Sequence, residues 1–179
     1  RAEFHLRIGR LLAAHTPPET REETVFEIVS QLNRASALIS SRAEKEELAA
    51  LNLIAGKRAK ASTAYASALT YLVAGTSLLS DDGWERRPDL MFALELYRAE
   101  CEFLTGELAT AETRLTMLSS RAAGPVDQAA VACLRIELYT TLDQNDRAVD
   151  VSLAYLHRRG IEMSPHPPEE EARREYERV

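Results

Sequence analysis

Leu51-Asn52-Leu53-Ile54-Ala55-Gly56-Lys57-Arg58-Ala59-Lys60-Ala61-Ser62-Thr63-Ala64-Tyr65 is the stretch that decides the fold. It reads as a helix crowded with small residues, with Gly56 inside it, running almost directly into a second apolar helix. A glycine inside a helix costs about 1 kcal/mol relative to alanine. It is kept where another helix has to come very close. Close helix pairing repeated along a chain builds a helical solenoid.

Outward from this stretch, helix punctuation divides the chain. Thr16-Pro17-Pro18-Glu19 has the order of an N-cap, a first-turn proline and a capping-box glutamate. Ser41-Arg42-Ala43-Glu44 and Asp82-Gly83-Trp84-Glu85 repeat the cap-to-acid spacing. Gly106 and Gly160 fit helix ends, and Gly124-Pro125 marks a loop whose proline opens the next helix. Arg87-Pro88 makes 84–87 a short turn before a helix that starts near Pro88. Between these marks apolar residues recur at helical spacing. Val25, Ile28, Val29, Leu32 and Leu38-Ile39 form one stripe, and Leu90, Ala93, Leu94, Tyr97, Cys101 and Leu104 another. No alternation of period two is long enough for a strand. The expected helices span 2–14, 17–39, 42–61, 63–80, 88–105, 107–121, 126–142 and 145–159, with a ninth from 168.

The helices repeat in pairs. Gly106-Glu107-Leu108-Ala109-Thr110-Ala111-Glu112-Thr113-Arg114-Leu115 looks like the turn and second helix of a tetratricopeptide repeat. Asn145-Asp146-Arg147-Ala148-Val149 carries the same small alanine, backed by Leu153 and Leu156, and Tyr65, Ala68 and Leu72 take matching places earlier. The anchors Ala68, Ala111 and Ala148 are spaced more widely than the roughly 34 residues of a regular repeat. Alanine lets two helices cross closely while larger residues lock neighbouring pairs. The expectation is an all-α, tetratricopeptide-like right-handed solenoid of about four helix pairs. It forms a single helical-repeat domain over 1–179, with pairs near 2–39, 42–80, 88–121 and 126–159 and a last helix over 168–179.

Composition limits the function. The chain has 179 residues, ample for one buried core, and 45% of them are hydrophobic, which excludes a disordered chain. A net charge of −6 argues against nucleic acid as a partner. No apolar run is long enough to cross a membrane, and Arg1-Ala2-Glu3-Phe4-His5-Leu6-Arg7 has no signal-peptide pattern. Cys101 and Cys133 lie in apolar helical contexts and read as buried, reduced thiols of a cytoplasmic protein. The chain reads as a piece of something longer.

No catalytic constellation emerges. His5, His15, His157 and His166 are scattered, with no pair at metal-ligand spacing. Glu169, Glu170 and Glu171 suit the positive end of a helix dipole better than a metal. Asp143, Asp146 and Asp150 lack the glycine and terminal glutamate of a calcium loop. The expectation is therefore a non-enzyme with no cofactor and no metal. Trp84, the only tryptophan, reads as a plug between widely spaced helix pairs, with a partner-binding anchor beside Arg86 and Arg87 as the alternative. Lys57 and Lys60 from one first helix, Glu100 from the next and Glu137 from the one after are candidates to line a concave groove; a solvated helix face is the bland alternative for each.

Leu6-Arg7-Ile8-Gly9-Arg10-Leu11-Leu12, Phe26-Glu27-Ile28-Val29-Ser30-Gln31-Leu32-Asn33-Arg34, the segment Leu51 to Ser62, Trp84-Glu85-Arg86-Arg87 and Leu134-Arg135-Ile136-Glu137-Leu138-Tyr139 together resemble the large multidomain signalling kinases of bacteria. In that family a serine/threonine-kinase-like domain is followed by an AAA-type ATPase, a long helical-repeat region, a sensor domain and a histidine kinase. The resemblance covers nearly the whole chain and points to the helical-repeat region after the ATPase. It implies a scaffold for protein–protein or interdomain contacts. The partners would be the flanking ATPase, sensor or kinase modules, or a separate protein. The alternative is a ligand-sensing domain that takes a small metabolite or peptide in its groove. The chain has no phosphate-binding loop, kinase glycine loop or phospho-acceptor histidine context, so the family's enzymatic activities transfer to none of its residues.

Overall fold

The computed structural model describes residues 1–17, 20–79 and 82–177. Every regular element among them is helical, with no strand. The chain divides into two compact units, Arg1–Arg114 and Leu115–Val179.

The first unit opens with α1 (Ala2–His15) packed on α2 (Arg21–Asn33). Two pairs of contacts then dominate, α3 (Arg42–Ala61) with α4 (Tyr65–Leu78), and α4 with α6 (Pro88–Leu104). The short α5 (Gly83–Arg86) leads into α6, and α7 (Leu108–Arg121) begins here. Gly56 has the role its position implies. A β-carbon there would lie 2.7 Å from Cδ2 and Cγ of the fully buried Leu72, so α3 and α4 touch where a side chain would separate them. Gly75 does the same for α4 and α6, with Leu94 Cδ2 at 2.7 Å from its would-be β-carbon. One core cluster joins Ala49, Leu72, Leu79, Leu90, Met91 and Leu94; another joins Val25, Ile28, Leu32, Ile39, Leu48 and Leu51.

In the second unit α8 (Pro125–Thr141) packs on α9 (Asn145–Arg158), with Val131, Leu138, Tyr139 and Ala148 buried. A further helix, α10, covers Glu169–Tyr176.

Three helix-to-helix connections, α3–α4, α6–α7 and α8–α9, share one turn. The amides of Ala64, Glu107 and Gln144 donate to the carbonyls of Ala59, Glu102 and Tyr139 at 2.9, 2.8 and 2.8 Å. Each thereby closes a Schellman turn around a residue of positive φ. Those residues are Thr63 (φ 59°), Gly106 (φ 86°) and Asp143 (φ 56°). Each stands five positions before an anchor alanine, and Ala68, Ala111 and Ala148 are all buried. The internal repeat is therefore a repeat of backbone geometry. Glycine occupies only one of its three turns.

Five local expectations change. Asp82 makes no capping hydrogen bond to α5, and its carboxylate accepts from Arg42 Nη1 at 2.9 Å instead. The helix expected over 17–39 starts at Arg21 and ends at Asn33, followed by a 3-10 turn over Ser36–Leu38. That turn buries Ile39 and leaves Leu38 44% exposed, and Asn33 leaves the helix with its amide engaged elsewhere. Thr16 does not cap α2. Its hydroxyl donates back to the Leu12 carbonyl (2.7 Å), and Pro18 and Glu19 lie outside the described residues. The helix expected from 63 starts at Tyr65 because Thr63 is left-handed, and its expected last residue, Ser80, lies outside the described residues. Cys133 is exposed, whereas Cys101 is buried as expected. By contrast the Ser41 cap forms, its hydroxyl accepting from the Glu44 amide at 3.4 Å.

Candidate functional site

Lys57 and Lys60 lie one turn apart on α3, and Tyr97 and Glu100 lie one turn apart on α6. The contact of these two helices brings all four together. Lys60 Nζ pairs with Glu100 Oε2 at 2.5 Å. The ammonium groups of Lys57 and Lys60 sit 4.9 and 5.0 Å from the centroid of the Tyr97 ring. Two cations over one half-buried aromatic face leave one positive charge after the Glu100 pair. Each cation–π contact of this kind is worth about 0.5–1 kcal/mol at an exposed site. Three of the residues expected to line a groove thus form one patch, with Tyr97 at its centre.

The other two residues named from the sequence are not part of it. Glu137 is exposed on α8 of the second unit. Trp84 is half-buried on α5 and packs against the core cluster that contains Leu79, Leu90 and Met91.

Beneath the patch, Cys101 is held as a thiol. Burial pushes its pKa up to about 11, Glu100 and Glu102 add to the rise, and Lys60 opposes it. A thiol so placed is a poor nucleophile at neutral pH.

Two polar constructions were not anticipated from the sequence. Asn52, fully buried on α3, exchanges amide hydrogen bonds with Asn33 of α2. Asn33 Nδ2 donates to Asn52 Oδ1 at 2.8 Å, and Asn52 Nδ2 donates to Asn33 Oδ1 at 2.9 Å. The second construction is ionic. Arg114 of α7 donates through Nε and Nη2 to Glu102 at 2.8 and 2.9 Å, and through Nη1 to Glu95. Arg98 Nε adds a bond to Glu102 at 3.0 Å. Glu95 and Glu102 are only 9% and 4% exposed, so two carboxylates and two guanidinium groups neutralise each other inside the protein. Burial alone would lower the Arg114 pKa, but the hydrogen bonds and charges of Glu102 and Glu95 raise it. The spacing Glu95, Arg98, Glu102 inside an apolar stripe was the available signal, since it places three charges on one helix face.

Among the described residues no group of three or more His, Cys, Asp or Glu side chains could hold a metal ion. No helix among them is long and apolar enough to cross a membrane. The patch presents one aromatic ring and three charged groups on two adjacent helices.

The chain is similar to hybrid signal transduction histidine kinase G of Dictyostelium discoideum, 28% identical over 146 residues. That alignment covers 76% of this chain and 4% of the relative, so the chain corresponds to a small part of a much longer protein. No family model matches the chain, and no solved structure matches it.

Proposed function

We propose that this chain is a non-catalytic, tetratricopeptide-like scaffold within a signal-transduction kinase, holding neighbouring modules or a separate protein through the first helices of its pairs. The observation that carries this reading is the α3–α6 patch of Lys57, Lys60, Tyr97 and Glu100. Tyrosine is among the side chains that protein interfaces favour at their energetic centres, and here Tyr97 is flanked by charge. The repeated hairpin turn supports the solenoid form, because repeated helix pairs present their first helices side by side. Similarity to a hybrid histidine kinase supports the signalling context.

Hydrogen–deuterium exchange tests the proposal on the chain alone and mixed with the ATPase and sensor modules that flank it in its parent protein. Protection is expected along 50–60 and 93–104. The charge reversal of Lys57→Glu with Lys60→Glu should abolish it. Unchanged exchange at both segments in every mixture would overturn the interdomain scaffold.

A further inference from the structure

A cavity of about 230 Å³ opens in the second unit between α8 and α9. Its walls are Val131, Ala132 and Arg135 from α8 and Val151, Ala154 and Tyr155 from α9, with Arg158 and Asp150 exposed on the lining. What distinguishes it is the state of Arg135. Its Nε is completely buried and has no hydrogen-bond partner. Its Nη2 reaches only the Tyr139 hydroxyl, at 3.4 Å. That hydroxyl is better served by Arg147 Nη2 at 2.9 Å, and the Arg147 guanidinium also lies closer to the Tyr139 ring, at 4.0 Å against 5.7 Å for Arg135. Neither Arg135 nor Arg158 has an ion-pair partner among the described residues.

A half-buried guanidinium without an anion is costly, and Arg135 lines this cavity as one. Two guanidinium groups line this cavity against one carboxylate, Asp150, so its field favours an anion. The remaining wall is aliphatic and aromatic. At about 230 Å³ the cavity is smaller than the roughly 300–1,000 Å³ typical of drug-sized ligands, which favours a small ligand. Guanidinium groups match the planar geometry of a carboxylate.

We infer that this cavity is a binding site for a small organic carboxylate, whose charged end meets Arg135 and whose short apolar body lies on Val131, Ala132, Val151 and Ala154. The site is independent of the α3–α6 patch, and its test reads a small molecule rather than a protein partner.

The test is an amide NMR titration of the isotope-labelled chain with sodium hexanoate and, in parallel, with 1-hexanol, which has the same apolar body without the charge. Hexanoate should saturate and shift the amides around Val131, Arg135, Val151 and Tyr155, and hexanol should bind at least about tenfold more weakly, the least a charge-assisted hydrogen bond supplies. Arg135→Gln should weaken hexanoate binding by a similar factor. Ala154→Leu fills the cavity from its exposed wall and leaves every charge in place, so it should abolish binding even if the Arg135 variant fails to fold. Three results would overturn the inference: no saturable shift with hexanoate, equal binding of hexanol, or hexanoate shifts that survive Ala154→Leu.

Discussion

Thr63→Gly should make the protein more stable, although Thr63 belongs to the stretch on which the fold depends. Thr63 sits at φ 59°, a conformation that costs a residue bearing a β-carbon about 1–2 kcal/mol. Its side chain is exposed and makes no hydrogen bond among the described residues, so nothing in the folded state offsets its removal. Glycine removes the strain and returns about 0.4–1 kcal/mol through the greater freedom of the unfolded chain. The net expectation is a gain of about 0.5–1 kcal/mol. Gly106 provides the mirror experiment in the next hairpin. At φ 86°, with nothing within 4 Å of a would-be β-carbon, Gly106→Ala meets the backbone cost alone and should lose about the same amount. Asp143→Gly should fall between, because aspartate tolerates the left-handed region and its carboxylate accepts from Asn145 Nδ2 at 3.3 Å. Urea unfolding followed by circular dichroism measures all three, and 1 kcal/mol corresponds to about 2–4 °C in Tm for a chain of this size. If Thr63→Gly is neutral or destabilising while Gly106→Ala is silent, the three turns do not share the left-handed geometry, and the structural repeat built on it fails.

The ionic network predicts the largest single loss. Arg114→Met leaves Glu95 and Glu102 buried without their shared cation and should cost about 3–5 kcal/mol in urea unfolding, with Glu102→Gln added to it restoring part. A loss under 1 kcal/mol would mean that the carboxylates reach water. At Gly56 the sign is informative. Alanine should gain about 1 kcal/mol in an open helix, but here its β-carbon falls 2.7 Å from Leu72, and overpacking of about 1–3 kcal/mol should make Gly56→Ala neutral to destabilising in the same assay. Thiol labelling at pH 7 should modify the exposed Cys133 and spare Cys101 until the protein unfolds. Because the folded Cys101 pKa is raised from 9.0 to about 11, its contribution to stability is intact below pH 9 and is lost as the pH climbs towards 11. A Cys133→Ser variant whose stability is flat across that window would contradict the burial of Cys101.

The sequence by itself determined the helices and the places where they must touch. Apolar spacing of three and four residues leaves no other regular structure, so the stripe Val25, Ile28, Val29, Leu32 is wholly buried. Gly56 and the alanines 68, 111 and 148 show where helices approach, because a small residue in a helix has little use except proximity. Lys57, Lys60, Glu100 and Glu137 were read together as groove candidates, and the structure joins Lys57, Lys60 and Glu100 in one patch. Other features were decided only by the tertiary structure. Thr63 and Asp143 carry no glycine signal, yet both stand in left-handed turns closed by backbone hydrogen bonds. Tyr97 gives no sign of standing under two lysines, nor Asn52 of a partner 19 residues away. Arg135 was visible only as one charged residue in a helix, because an unmet guanidinium depends on which side chains fail to arrive. Local spacing fixes which face of a helix is buried, whereas the meeting of polar groups from different helices depends on distances that only the assembled core sets.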